Sequence, residues 1–244
     1  MVAESAFSRS ALLLGQEAMD KIENSRVAVF GIGGVGGYVV ESLVRTGIGE
    51  IDIIDKDKVS VSNINRQIIA TNSTIGRYKV DVMEERILDI NPKAKIHSYK
   101  SFFLPENSNE FDFSKYDYVV DAVDTVTAKL EIISKAQKAG VPVISSMGAG
   151  NKLNPTQLEV VDIYETSTCP LARVMRRELR ARGIKHLKVV YSKEKSIRPI
   201  RKLDKNADRK ECASPGSTSF VPPVAGLIIA AEVIKDLTSN ILMS

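Results

Sequence analysis

Arg66 and Lys79 stand where two cations could clamp the outer phosphates of a nucleotide and neutralise charge that develops during attack at its α-phosphate. Arg66 lies within a dense polar run, Ser62-Asn63-Ile-Asn65-Arg66-Gln67, that follows Asp55 and Asp57, and Lys79 lies beyond it. Asn63 and Gln67 either orient phosphates or only brace their loop. The competing reading makes Arg66 and Lys79 ordinary surface cations.

These side chains need elements to hold them. Val27-Ala-Val-Phe30 leads into Gly31-Ile-Gly33-Gly34-Val-Gly36-Gly37, and a mixed apolar segment runs on to Thr46. That order predicts strand, tight turn and helix. Gly31, Gly33 and Gly36 match the spacing G-x-G-x-x-G, which allows a sharp turn, lets a phosphate approach the backbone and packs helix on strand. Asp55 ends the next apolar run, where a carboxylate can accept from a ribose hydroxyl. A dinucleotide enzyme would use the same glycines and acid. The polar run just beyond suits a triphosphate better. Lys79 opens an amphipathic helix from Val80 to Ile90, stopped by Asn91-Pro92.

Apolar runs alternate with helical patterns as far as Ser146, which favours a doubly wound parallel sheet. Strands are expected at Arg26–Phe30, Glu50–Ile54, Lys95–Tyr99, Tyr118–Ala122 and Pro142–Ser146, with a helix from Thr125 to Ala139. Beyond Gly150 the character changes. Gln157–Ile163 and Leu187–Ser192 read as strands of an antiparallel extension, with a basic helix at Pro170–Arg182 between them. Glu194–Ser217 shows no periodicity and reads as a loop, and Val224–Leu237 reads as a buried or dimer-interface helix. The expectation is one domain over 1–244, with a nucleotide-binding core at about 25–150 and an extension at about 151–244.

The net charge of +4 conceals a segregation. Arg173 to Lys210 holds 15 Lys/Arg against four acids, a local charge of +11 that leaves the rest of the chain at −7. Such a footprint suits a nucleic-acid partner, and a solvated basic loop is the bland alternative. Two cysteines, Cys169 and Cys212, support no disulfide framework and point to a reducing cytosol; a tetrathiolate zinc site cannot be built from them. The start shows no signal-peptide pattern, and the most apolar stretch, Phe220–Ile234, is too short to span a membrane, so a cytoplasmic location is expected. His97 and His186 are too isolated to suggest a metal site or a catalytic dyad.

Gly-Ile-Gly-Gly-Val-Gly, Asp55-Lys-Asp57, Ser62-Asn-Ile-Asn-Arg-Gln67 and Gly76-Arg-Tyr-Lys79 together resemble the adenylation core of the E1-like superfamily. The resemblance implies a Rossmann-like, mainly parallel sheet, ATP as the nucleotide and Mg2+ beside it. Val119-Val-Asp121-Ala-Val-Asp124-Thr resembles the superfamily's strand-end aspartate, which gives the metal to Asp124. The rival role for Asp124 is an N-cap for the helix at Thr125. Arg9, in Phe7-Ser8-Arg9-Ser10, matches an N-terminal arginine that reaches the partner subunit's ATP, so a homodimer is implied.

Three further segments resemble the tRNA threonylcarbamoyladenosine dehydratases: Phe7–Gly15, Gly148–Gln157 and Glu211-Cys-Ala-Ser214. Members of that family adenylate the free carboxylate on threonylcarbamoyladenosine 37 of certain tRNAs. Ring closure by the same nucleoside then expels AMP, with proximity supplying the advantage. tRNA would dock on Arg173, Arg176, Arg177, Arg180 and Arg182. The alternative within the superfamily is adenylation of the C-terminal glycine of a ubiquitin-like or sulfur-carrier protein. The residues leave open whether a sulfur-transfer partner protein assists. Cys169 and Cys212 receive no catalytic role.

Overall fold

The computed structural model describes residues 6–198 and 215–242. Glu211–Ser214, with Cys212, and most of the loop expected at Glu194–Ser217 therefore lie outside the described residues. Two short helices, α1 (Ser8–Leu14) and α2 (Gln16–Glu23), precede the sheet. The core then alternates β1 (Arg26–Phe30), α3 (Gly36–Thr46), β2 (Glu50–Ile54), α4 (Lys79–Ile90), β3 (Lys95–Tyr99), β4 (Tyr118–Asp121), α5 (Val126–Lys138) and β5 (Val143–Ser146). The chain continues through β6 (Leu158–Asp162), α6 (Pro170–Ala181), β7 (Lys188–Ser192), α7 (Val221–Leu237) and α8 (Ser239–Leu242).

One seven-stranded sheet runs in the order β3-β2-β1-β4-β5-β7-β6. The first five strands are parallel, as their unbroken apolar runs require when helices cover both faces. The extension differs from expectation in one respect. β7 joins β5 in parallel, and only the last strand, β6, runs antiparallel. The basic α6 supplies the crossover length that lets β7 return in the direction of β5.

β1 is buried from Val27 to Phe30 and sits between β2 and β4, with Phe30 level with both Ile54 and Asp121. That register brings Gly31, Asp55 and Ala122 to the same height. α7 begins three residues before the expected Val224, because its two prolines occupy the first turn, where no intrahelical N–H is needed. It lies against α3, with Val221, Ala225, Ile229, Ala230 and Val233 buried. Tyr118 donates to Asp236 at 2.6 Å, and Lys188 donates to the same carboxylate at 2.7 Å, tying α7 to β4 and β7. Burial pushes the Tyr118 phenol well up, and the Asp236 hydrogen bond adds to it.

Candidate active site

Where the strand order reverses between β1 and β4, the loops leaving the strands splay apart around a cavity of about 620 Å³. Open α/β sheets bind their ligands at such switch points. Gly31 leaves β1 at φ 89°, and a side chain there would strike the Ala122 carbonyl oxygen at 2.8 Å. Gly36 is a packing glycine: a methyl group on it would come within 1.8 Å of the Gly31 carbonyl oxygen, and it does not line the cavity. Gly33 and Gly34 do line it. The amides of Gly33, Gly34 and Val35 donate to no group among the described residues, so the start of α3 offers an anion three donors and a favourable dipole.

Asp55 holds this turn together. Its Oδ2 accepts from the Ile32 amide at 2.7 Å and lies 3.5 Å from Lys79 Nζ, while Oδ1 accepts from the Asp57 amide at 2.8 Å. A ribose hydroxyl would share a carboxylate that is already bracing the loop. Lys79 is buried as the first residue of α4 and donates to Asp57 Oδ2 at 3.0 Å. The α4 dipole favours an anion at the same place.

The polar loop divides its labour. Asn63 accepts from the Ser60 amide at 3.1 Å, and its own carbonyl accepts from the Arg66 and Gln67 amides, so it braces the loop. Asn65 turns out of the cavity to donate to the Ser217 carbonyl at 3.0 Å. Its Oδ1 takes one guanidinium N–H from Arg66 at 2.8 Å, and the Ser62 carbonyl also accepts from the same nitrogen. Those bonds hold the Arg66 fork on the cavity wall. Gln67 is buried on that wall, and its Oε1 has no partner; a bound donor would cure this defect.

Asp124 lines the opposite wall and is exposed. It is not the N-cap: Thr125 takes that position without a side-chain cap bond, and Asp124 Oδ1 accepts from the Thr125 hydroxyl at 3.2 Å. A carboxylate so open suits magnesium, which takes few protein ligands and completes its shell with phosphate oxygens and water. Among the described residues no three His, Cys, Asp or Glu side chains cluster as a metal cage. Phe102 also reaches the cavity, with Lys56 Nζ 4.1 Å from its ring centroid.

Arg9 sits exposed on α1 and is not among the lining residues. On α6, Leu171 touches the cavity, but the arginines differ in freedom. Arg176 is bound to Thr166, Arg177 and Arg182 pair with Glu178, and Arg180 lies over the Tyr164 ring. Arg173 is exposed and takes part in none of these contacts. Cys169 is buried beside Gly148, His97 pairs with Glu50 and His186 is near Asp162, the two histidines far from any role at the cavity.

Sequence reasoning missed what stands behind the site. Lys129 and Asp121 form a fully buried ion pair at 3.1 Å. Lys129 Nζ also donates to the Ser146 carbonyl at 2.7 Å, and the Ser145 hydroxyl donates to Asp121 at 2.6 Å. This joins the ends of β4 and β5, from which Val123, Asp124 and Gly148 project to the cavity.

A glycine turn at a helix start, two cations and an open carboxylate at the switch point define a nucleotide-binding α/β protein. The chain belongs to the ThiF family, whose model matches residues 7–242. It is 43% identical over 242 residues to the tRNA threonylcarbamoyladenosine dehydratase of Bacillus subtilis, covering 96% of this chain and 95% of that protein. The enzyme of that name from Escherichia coli is 33% identical over 251 residues, covering 96% and 94%. A solved structure of the E. coli tRNA N6-threonylcarbamoyladenosine dehydratase in complex with ATP superposes with a TM-score of 0.88 at 31% identity, over 100% of both chains.

Proposed function

We propose that this protein is an ATP-dependent dehydratase of N6-threonylcarbamoyladenosine in tRNA. The observation that carries the reading is one cavity gathering the glycine turn, Arg66, Lys79 and Asp124 in a chain matched end to end by dehydratases. The substrate carboxylate attacks the α-phosphate of ATP, forming an acyl-adenylate and releasing pyrophosphate. A nucleophile of the same nucleoside then attacks the acyl carbon, closes the ring and expels AMP. The oxygen lost by the nucleoside leaves on AMP, which balances the loss of water. No enzyme nucleophile is needed, because the second step is intramolecular.

Each side chain has a role in this scheme. Gly33 and Gly34 present their amides to phosphate, with Gly31 and Gly36 shaping the turn. Arg66, held by Asn65 and by the loop that Asn63 and Gln67 build, meets the outer phosphates. Lys79 exchanges its bond to Asp57 for a phosphate oxygen, while Asp55 keeps the turn in place. Asp124 would hold Mg2+, which when bound neutralises phosphate charge. Homodimerisation would bring Arg9 to the neighbouring site. In support, α1 buries none of its residues and leaves Leu12 and Leu13 85% and 84% exposed. tRNA would dock by its phosphates on α6, with Arg173 the freest of its cations. The whole chain acts as one unit, the region after Gly150 facing the tRNA. No described helix is long and apolar enough to cross a membrane.

The test is ATP-dependent turnover on threonylcarbamoylated tRNA, following AMP and the mass of the nucleoside. Loss of one water with AMP formed is the expected result. Pyrophosphate exchange that depends on a Gly-Gly protein, with the tRNA unchanged, would replace this reading by carrier-protein activation.

A further inference from the structure

Asp124 belongs to a short link, Ala122 to Thr125, between the end of β4 and the start of α5. Its own side chain does little to fix that link: the carboxylate is exposed, and Thr125 caps α5 without a side-chain bond. What fixes the link lies beneath it. Asp121 ends β4 and Lys129 closes the first turn of α5, with Nζ 3.2 Å from Oδ1 and 3.1 Å from Oδ2. The Val123 amide donates to the same Oδ1 at 3.2 Å, so the backbone of the link is tied into the ion pair. Ser145 donates to Oδ2 at 2.6 Å, and Asp121, Lys129 and Ser145 are all fully buried.

The link in turn rests on the glycine turn. The Ala122 amide donates to the Phe30 carbonyl at 2.9 Å. The Ala122 carbonyl oxygen would lie 2.8 Å from a Cβ on Gly31, and the Ala122 Cβ 3.3 Å from one on Gly36. Backbone packed so closely transmits the placement of the link to the turn that receives phosphate. An apolar side chain in place of Lys129 would fill the space under α5 equally well. What the pair adds is direction. One carboxylate shared among Lys129, Ser145 and the Val123 amide fixes the first turn of α5 and the backbone before Asp124 together.

We infer that Lys129 and Asp121 are positioning residues for the metal, holding the link so that one Mg2+ serves both the Asp124 carboxylate and the phosphates on the glycine turn. This rests on the assignment of Mg2+ to Asp124 in the proposed function. Neither residue lines the cavity, so neither touches the nucleotide. Their effect falls on the part of ATP affinity that the metal supplies. The part supplied by Gly33, Gly34, Arg66 and Lys79 is independent of them. Groups that orient a metal ligand from behind typically contribute about 10–100-fold to metal affinity.

The experiment titrates the full chain with ATP in Mg2+ and again in EDTA, and the ratio of the two affinities is the metal's contribution. Lys129→Met combined with Asp121→Asn removes the clasp without leaving a buried charge unpaired. It should cut the ratio about tenfold, with the affinity in EDTA at the parent's value. Ser145→Ala keeps the ion pair and deletes one bond to Asp121, and should cut the ratio a few-fold. Melting temperature establishes that each variant is folded, and Ser145→Ala decides the matter where the double variant is not. A ratio equal to the parent's, or an equal loss of affinity in Mg2+ and in EDTA, would overturn the inference while leaving Asp124 and the dehydratase reading intact. A parent protein whose ATP affinity ignores Mg2+ would overturn the metal assignment as well.

Discussion

Two lysine–aspartate contacts lie at the ends of β4 and β2, the strands on either side of β1, and differ in what surrounds them. Lys129 and Asp121 are both 0% exposed, and the ammonium is surrounded by Asp121, the Ser145 hydroxyl and the Ser146 carbonyl. Lys79 is 7% exposed, but one of its partners, Asp57, is 56% exposed. The sealed pair cannot change partners, since neither charge can be rehydrated and no space admits a ligand. In the open pair, a phosphate can take the place of Asp57, whose carboxylate is then stabilised by water. The same two residue types make a rivet when both lie under a helix and an exchangeable clamp when one lies in a loop. Depth separates them, not the pairing.

Breaking the rivet should have the largest effect. Lys129→Met leaves the Asp121 charge buried and unpaired, which costs about 3–5 kcal/mol. Urea unfolding should show that loss, and adding Asp121→Asn should recover much of it by removing the orphan charge. A single variant as stable as the parent would show that the pair is dispensable. Breaking the clamp comes next. Lys79→Ala should lower AMP formation by about 10²–10³-fold, as for removal of one preorganised donor to a developing anion. Its melting temperature should fall less than that of Lys129→Met, because Asp55 keeps the Ile32 and Asp57 amides and Asp57 turns to water. Full activity would remove Lys79 from the machinery.

The glycine turn and the acid that braces it were legible in the sequence and the rivet was not, for a physical reason. Gly31, Gly33 and Asp55 act through local geometry, a turn between a strand and the next helix, and local geometry leaves a spacing. The parallel strands were legible as well, since burial on both faces leaves continuous apolar runs. Lys129 meets Asp121 only after the chain has turned from strand into helix. One signal was available: Lys129 shares an apolar stripe with Ile132, Ile133 and Ala136, all fully buried, and a lysine in such a stripe needs a buried partner. The α1 helix was missed because it buries none of its residues, whereas α2 has a short buried face, Ala18, Met19 and Ile22, that could have marked it. The bond from Asn65 to Ser217 crosses 152 residues and could not be read from the polar run. Long-range contacts of that sort leave no local pattern.

A finer test of the exchange is Asp57→Asn. Removing the carboxylate that competes with phosphate for Lys79 should tighten ATP binding a few-fold, on the order of 0.5–1 kcal/mol for a contact open to water. Titration decides by sign: weaker binding would mean that Asp57 itself contacts the nucleotide or its metal.

An effect of similar size belongs to an ion pair between these extremes. Glu41 on α3 accepts from Arg86 on α4 at 2.6 and 2.9 Å and from Arg45 at 2.7 Å, joining the two helices whose starts lie at the cavity. Burial pushes the Glu41 carboxyl up, but the hydrogen bonds from Arg86 and Arg45 outweigh it and hold the group below its ordinary value of 4.5. A carboxyl depressed in the folded state stabilises above that value, and the stabilisation is lost as pH falls through the folded value. Glu41→Gln should therefore cost on the order of 1 kcal/mol at neutral pH, a low figure because both arginines reach water. The two stability curves should converge on acidification below about pH 4.5. Denaturant unfolding at neutral and acid pH measures this directly, and a gap that persists in acid would assign the contribution of Glu41 to packing between α3 and α4 instead of to its charge.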